Sequence, residues 1–183
     1  MALDPSVRSS LAQLVRDAGY ERREEPFRLT SGGWSRDYVD GKHAVATGAA
    51  LRQVSQAVIT AIDAPFDAVG GPTMGADALA HGVALLSGSG WFSVRKEPKG
   101  HGRGAWVEGT RLKTGDRVLI VEDVVSTGGS LLRAVERIRE LGVEVVAATA
   151  LLDRSPTVAA RFAEAGVVWV PLLTWADLGI EPI

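Results

Sequence analysis

Glu122 and Asp123 stand side by side at the end of the apolar run "VLIVED", and a small polar turn of Ser126, Thr127, Gly128, Gly129 and Ser130 follows almost at once. The two groups suit opposite chemistries. A glycine-rich turn between a strand and a helix gathers free backbone N–H groups at the positive end of the helix dipole, which suits phosphate. Adjacent carboxylates repel phosphate but accept hydrogen bonds from sugar hydroxyls, or reach a hydrated Mg²⁺. A ribose 5-phosphate unit satisfies both, with its monoester in the turn and its hydroxyls on the acids. The plainer alternatives are a helix start capped by serine or threonine and a solvated strand end whose acids are ion-paired.

A second chemical cluster precedes the first. Arg95, Lys96, Lys99, His101 and Arg103 fall within nine residues, against the single acid Glu97. Such a run is suited to a polyphosphate, although a solvated basic loop is the ordinary reading. Nucleic acid fits less well, because no aromatic platform alternates with the charges. Gly100, Gly102, Gly104 and Gly109 suggest that residues 97–116 form a mobile loop able to close over a reaction centre. Neither the lysine-bearing P-loop nor the dinucleotide fingerprint of spaced glycines occurs at these turns. Arg154 ends a later apolar run and can present a planar fork of donors to a flat carboxylate, or pair structurally with Asp153. His43 and His81 are isolated and read as structural.

These groups need elements to hold them. Asp4, Pro5 and Gly19 mark the start and end of an N-terminal helix. Residues 27–42 alternate around a glycine turn, as a hairpin does. Residues 46–62, 74–88, 129–142 and 156–166 carry helical periodicity, and 66–71, 91–96, 117–123, 143–153 and 167–174 read as strands. The alternation predicts an α/β fold, a doubly wound and mostly parallel sheet flanked by helices, with ligands beyond the strands' carboxyl ends. One domain over 1–183 is expected, with 1–45 as a small N-terminal hood.

A net charge of −2 gives no general attraction to nucleic acid or anionic membrane, so any polyanion site is local. The lack of cysteine excludes disulfides and thiolate chemistry and is consistent with a cytoplasmic protein. No segment reaches the roughly 20 apolar residues of a membrane span.

With these residues in view, "VLIVEDVVSTGG" resembles the phosphoribosyl pyrophosphate (PRPP) motif of type I phosphoribosyltransferases. "RKEPKGHG" resembles the R-K-E-x-K-x-H-G stretch of orotate phosphoribosyltransferases, and "FRLTSGGWSRDYVDGK" resembles that family's entry region. The resemblance spans residues 27–154 and implies a Mg²⁺-dependent transfer from PRPP to orotate, in de novo pyrimidine synthesis. It implies PRPP contacts from Arg95, Lys96, Lys99, His101, Glu122, Asp123, Val124, Val125, Ser126, Thr127, Gly128, Gly129 and Ser130. Lys99, Glu122 and Asp123 would be catalytic. Orotate would meet Thr30, Ser31, Tyr38, Ser126 and Arg154. No residue is expected to bind Mg²⁺ directly, since the substrate would hold it, with a water-bridged contact to Asp123 left open. A homodimer is implied, the loop of each chain serving its neighbour, with no nucleic-acid or membrane partner. The sequence departs from the family at Thr30 and at Met74–Gly75, where many members carry a lysine and an aromatic–lysine pair. Two other readings stay open: transfer to another base such as a purine, and a non-catalytic PRPP sensor.

Overall fold

The computed structural model describes residues 3–28, 32–98 and 106–183. Thr30, Ser31, Lys99 and His101 lie outside the described residues. The first element is helix α1 (Pro5–Ala18), which Asp4 caps by accepting from the Ser6 N–H and which ends at Gly19. Strands β1 (Tyr20–Arg28) and β2 (Trp34–Val39) form an antiparallel hairpin. Helix α2 (Gly41–Ala44) is a single turn and α3 (Gly48–Ala61) a longer amphipathic helix. Then follow β3 (Ala68–Pro72), α4 (Asp77–Ser87), β4 (Gly90–Val94), β5 (Val107–Gly109) and β6 (Arg117–Val125). The chain closes with α5 (Gly129–Arg139), β7 (Glu144–Asp153), α6 (Val158–Glu164), β8 (Leu173–Thr174) and α7 (Trp175–Leu178).

The main sheet has the order β5-β4-β3-β6-β7-β8, parallel except for the antiparallel edge strand β5. From β3 the chain winds outward to β4, and then returns to β6 on the other side of β3. The reversal point therefore lies between β3 and β6, where an open parallel sheet leaves a crevice at its carboxyl end. The residues that could do chemistry on β6 open into that crevice.

Both faces of β6 are covered, which is why its sequence is almost continuously apolar. Leu119 and Val121 pack in one core with α1, α3 and α4. Val118, Ile120 and Val125 pack in the other with Phe92, Leu131, Ile138 and Phe162. Each fully buried large side chain contributes about 1.5–3 kcal/mol.

Three local expectations change. The strand expected over 117–123 runs on to Val125, because β7 stays alongside and pairs Val124 with Leu152 and Val125 with Asp153. The acids thus sit within the strand rather than at its tip. Residues 97–116, expected as a loop, contain β5, held against β4 through Val94 and Val107. The strand expected over 167–174 is reduced to a bridge at Trp169 and the two residues of β8. Pro171 between them has no N–H to donate to a ladder.

Candidate functional site

A cavity of about 790 Å³ opens over the crevice, lined on one side by Thr73, Met74 and Gly75 and on another by Arg95 and Lys96. Glu122, Asp123 and Val124 form its floor, and Ser130, Arg133 and Arg137 its α5 wall. Trp106 and Lys42 complete the rim. No helix among the described residues is long and apolar enough to cross a membrane.

The acids are buried at 8% exposure each, so they do not form a solvated strand end. Asp123 is wedged between two glycines. A Cβ at Gly41 would stand 2.7 Å from the Asp123 Cβ, and one at Gly75 would collide with both carboxylates. The Val124 N–H donates to Asp123 Oδ1 at 2.7 Å. Lys42 Nζ lies 3.8 Å from Asp123 Oδ2, at the outer limit of an ion pair. Burial, reinforced by the charge of Asp123, pushes the Glu122 carboxyl well above its ordinary range.

The turn after β6 leads into α5 through Gly128, which has φ +72°, a conformation open to glycine. Phe162 and Val158 close in on the same residue. No side chain among the described residues caps α5, so the expected alternative of a serine or threonine cap does not hold here. The first backbone N–H groups of an 11-residue helix face the turn instead. Arg161 donates to the Thr127 carbonyl and ties the turn to α6.

Arg154 begins where β7 ends, and its N–H donates to the Val125 carbonyl at 2.8 Å. This joins it to the residue just before Ser126. Val125 itself turns its side chain into the core. Arg154 is 3% exposed, yet it makes none of the ion pairs expected of a structural arginine. Its neighbour Asp153 is occupied by the Ser155 N–H at 2.9 Å and the Trp169 indole N–H at 2.9 Å. Arg154 Nη1 donates to the Asp37 carbonyl at 2.8 Å, while Nε and Nη2 are buried without a partner in the protein. Burial pulls this guanidinium below its usual value, against the opposing pull of Asp37 and Tyr20. Donors left unmade in a buried fork are costly unless something arrives to accept them.

A model of the phosphoribosyl transferase domain matches residues 43–164. The orotate phosphoribosyltransferase of Methanothermobacter thermautotrophicus is 38% identical over 171 residues, 93% of each chain. This chain belongs to the orotate phosphoribosyltransferase family. It is therefore of a pentosyltransferase family, and the mostly parallel sheet agrees with that family's solved structures. The Mycobacterium tuberculosis orotate phosphoribosyltransferase in complex with PRPP has a TM-score of 0.79 and 33% identity, covering 95% of this chain and 99% of that one. The Aeropyrum pernix orotate phosphoribosyltransferase has a TM-score of 0.81 at 28% identity, covering 92% and 95%. An adenine phosphoribosyltransferase from Thermoanaerobacter pseudethanolicus, at 16% identity, shares the fold.

For an orotate phosphoribosyltransferase family member, the residues singled out in the sequence divide into two groups. Arg95, Lys96, Glu122, Asp123, Val124 and Ser130 line one cavity. Ser126, Thr127, Gly128 and Gly129 make the adjoining turn. Arg154 and Tyr38 lie toward the hood, outside the described lining of that cavity. The Tyr38 ring meets Phe27 edge-on at 5.7 Å and carries the Arg23 guanidinium at 4.4 Å. Arg95 also pairs with Glu108 at 3.3 Å.

Sequence reasoning missed Lys42, Trp106, Arg133 and Arg137. The α5 pair had a readable signal: Ser130, Arg133, Ala134 and Arg137 follow i, i+3, i+4, i+7 spacing, one stripe of a helix. Arg137 lies 4.2 Å from the Trp106 ring centroid, a contact no local pattern announces.

The buried Glu122 makes the unliganded protein sensitive to pH in a known direction. An acid whose folded pKa exceeds its unfolded one lends stability that is complete below the unfolded value, ordinarily 4.5, and is lost as pH rises through the folded value. Glu122→Gln removes that loss. Its melting temperature, relative to wild type, is expected to rise progressively from pH 4.5 to 8 without ligand. A constant difference across that range would contradict the assignment.

Proposed function

We propose that this chain transfers the 5-phosphoribosyl group of PRPP to orotate, giving orotidine 5′-monophosphate and diphosphate as a step of pyrimidine synthesis. The C1–O bond to diphosphate breaks and a bond from C1 to a ring nitrogen forms. Positive charge gathers on the sugar while negative charge grows on the leaving group, so positioning and electrostatics carry the reaction. On this reading the turn from Ser126 to Ser130 holds the 5-phosphate, and Glu122 and Asp123 accept from the ribose hydroxyls. Arg95 and Lys96 face the diphosphate, as would Lys99 and His101 by resemblance. Ser126, Thr30, Ser31 and Tyr38 belong to the base side.

The observation that carries the orotate half is Arg154, whose Nε and Nη2 are buried and unpartnered in the protein. A planar carboxylate supplies two acceptors to such a fork. A neutral purine would leave the fork unanswered.

Mg²⁺ belongs to the proposal. The two carboxylates offer oxygens to a hydrated ion, but among the described residues no group of three or more acidic or histidine side chains would hold a metal. Its ligands would then be chiefly substrate oxygens, with Asp123 contacted through water. Bound there, Mg²⁺ neutralises charge developing on diphosphate. A homodimer is also proposed, on the resemblance of "RKEPKGHG", with Arg95, Lys99 and His101 serving the neighbour's site.

Protein, Mg²⁺, PRPP and orotate mixed together are expected to consume the ultraviolet absorbance of orotate, with adenine, guanine and hypoxanthine untouched. Turnover of a purine with no loss of orotate would overturn the assignment. Binding of PRPP without turnover of any base would favour a sensor.

A further inference from the structure

We propose that Lys42 is a further PRPP-binding residue, whose ammonium leaves Asp123 for a phosphoryl oxygen of the diphosphate when the ribose hydroxyls take that carboxylate. The inference rests on the reading of Glu122 and Asp123 as the sugar-binding acids. It concerns a residue outside the motifs that define the family resemblance.

The position of Lys42 is imposed by packing. Gly41 lies against Asp123 so closely that no Cβ fits, with Asp123 Oδ2 only 2.9 Å from where it would stand. The following residue therefore projects over that carboxylate. Asp40 fixes the turn by accepting from the Lys42 and His43 N–H groups at 3.0 and 3.3 Å. The ammonium then sits 3.2 Å from Asp40 Oδ1 and 3.8 Å from Asp123 Oδ2, on the rim of the large cavity. Burial draws this lysine down, but Asp40 and Asp123 outweigh it and hold the group above its ordinary value, charged at any working pH.

The geometry is poor for a structural bridge and good for an exchangeable one. The side chain is 55% exposed, and the contact to Asp123 is loose. Such pairs contribute little to folding. The neighbouring cations have other engagements: Arg95 pairs with Glu108, and Arg137 with Glu140 at 2.9 Å. Lys42 is the cation beside the acids. With the site empty it offsets the charge of Asp123, which would otherwise face Glu122 in a dry pocket. When hydroxyl donors satisfy Asp123, the flexible four-carbon stem lets the ammonium turn to the polyanion arriving in the same cavity. A cation that only exchanges one anion for another costs little to reorganise.

The test compares wild type with Lys42→Ala, Lys42→Gln and Lys42→Arg. PRPP is titrated calorimetrically in the presence of Mg²⁺ and without base, and KM for PRPP and for orotate is measured separately. The alanine and glutamine variants are expected to weaken PRPP binding and raise KM for PRPP by about tenfold, the effect of one charged contact. KM for orotate should stay within about twofold, since this charge is remote from the base. Lys42→Arg should recover most of the loss at an unchanged melting temperature. Unchanged PRPP affinity in both neutral variants overturns the proposal. So does a parallel rise in both KM values with a lowered melting temperature, which marks a structural pair. A wild type that binds PRPP but does not consume orotate would defeat the assignment of the base, while the titration still reads Lys42.

Discussion

Replacing Arg154 by methionine is expected to lower kcat/KM for orotate by about 10²- to 10⁴-fold, the worth of two hydrogen bonds to a charged group at roughly 1.5–3 kcal/mol each. The same substitution should leave the protein at least as stable as wild type. The two effects part company because the guanidinium is buried with Nε and Nη2 unpartnered, and only Nη1 is paired, to the Asp37 carbonyl. A buried charge without a counterion is a burden on folding, which a flexible apolar side chain of similar length relieves. Arg154→Lys should rescue poorly, because an ammonium cannot present a planar fork. Binding of PRPP should be nearly unaffected. Thermal unfolding and steady-state kinetics decide the matter: a melting temperature several degrees lower with KM for orotate unchanged would make Arg154 a structural residue.

Replacing Lys99 by alanine is expected to cost about 10²- to 10³-fold in kcat, as removal of one preorganised donor at a developing anion does. The loss should fall on kcat more than on the KM for PRPP, because the diphosphate gains charge only as C1–O breaks. Melting temperature should not move. The proposed sharing of this lysine across a dimer gives a sharper measurement. When Lys99→Ala and Arg154→Met chains are unfolded together and refolded in equal amounts, each mixed dimer holds one site with both residues intact and one with neither. About a quarter of wild-type activity should return. If each lysine served its own chain, mixing would restore nothing.

Much of the scaffold was legible in the chain itself because local physics decided it. Asp4, Pro5 and Gly19 define α1 through capping and backbone preference alone. The apolar run before Glu122 could only be a strand covered on both sides. What stayed hidden depends on contacts distant in sequence. Lys42 reaches Asp123 only because a one-turn helix packs its glycine against β6. Whether Arg154 was paired could not be read from "LLDR", since Trp169 and Ser155 decide the fate of Asp153. The added length of β6 likewise came from its neighbour β7, not from its own residues.

The hairpin of β1 and β2 is a sheet of its own, separate from the six strands that carry the acids. Its link to Arg154 runs through a main-chain oxygen, the carbonyl of Asp37, which any amino acid at that position would supply. Selection can therefore rewrite the side chains of this small flap, and with them the choice of acceptor, without disturbing the sugar-phosphate machinery beneath. Ancestry of the chemistry and ancestry of the taste for a particular ring need not coincide, and the hairpin is where their histories can diverge.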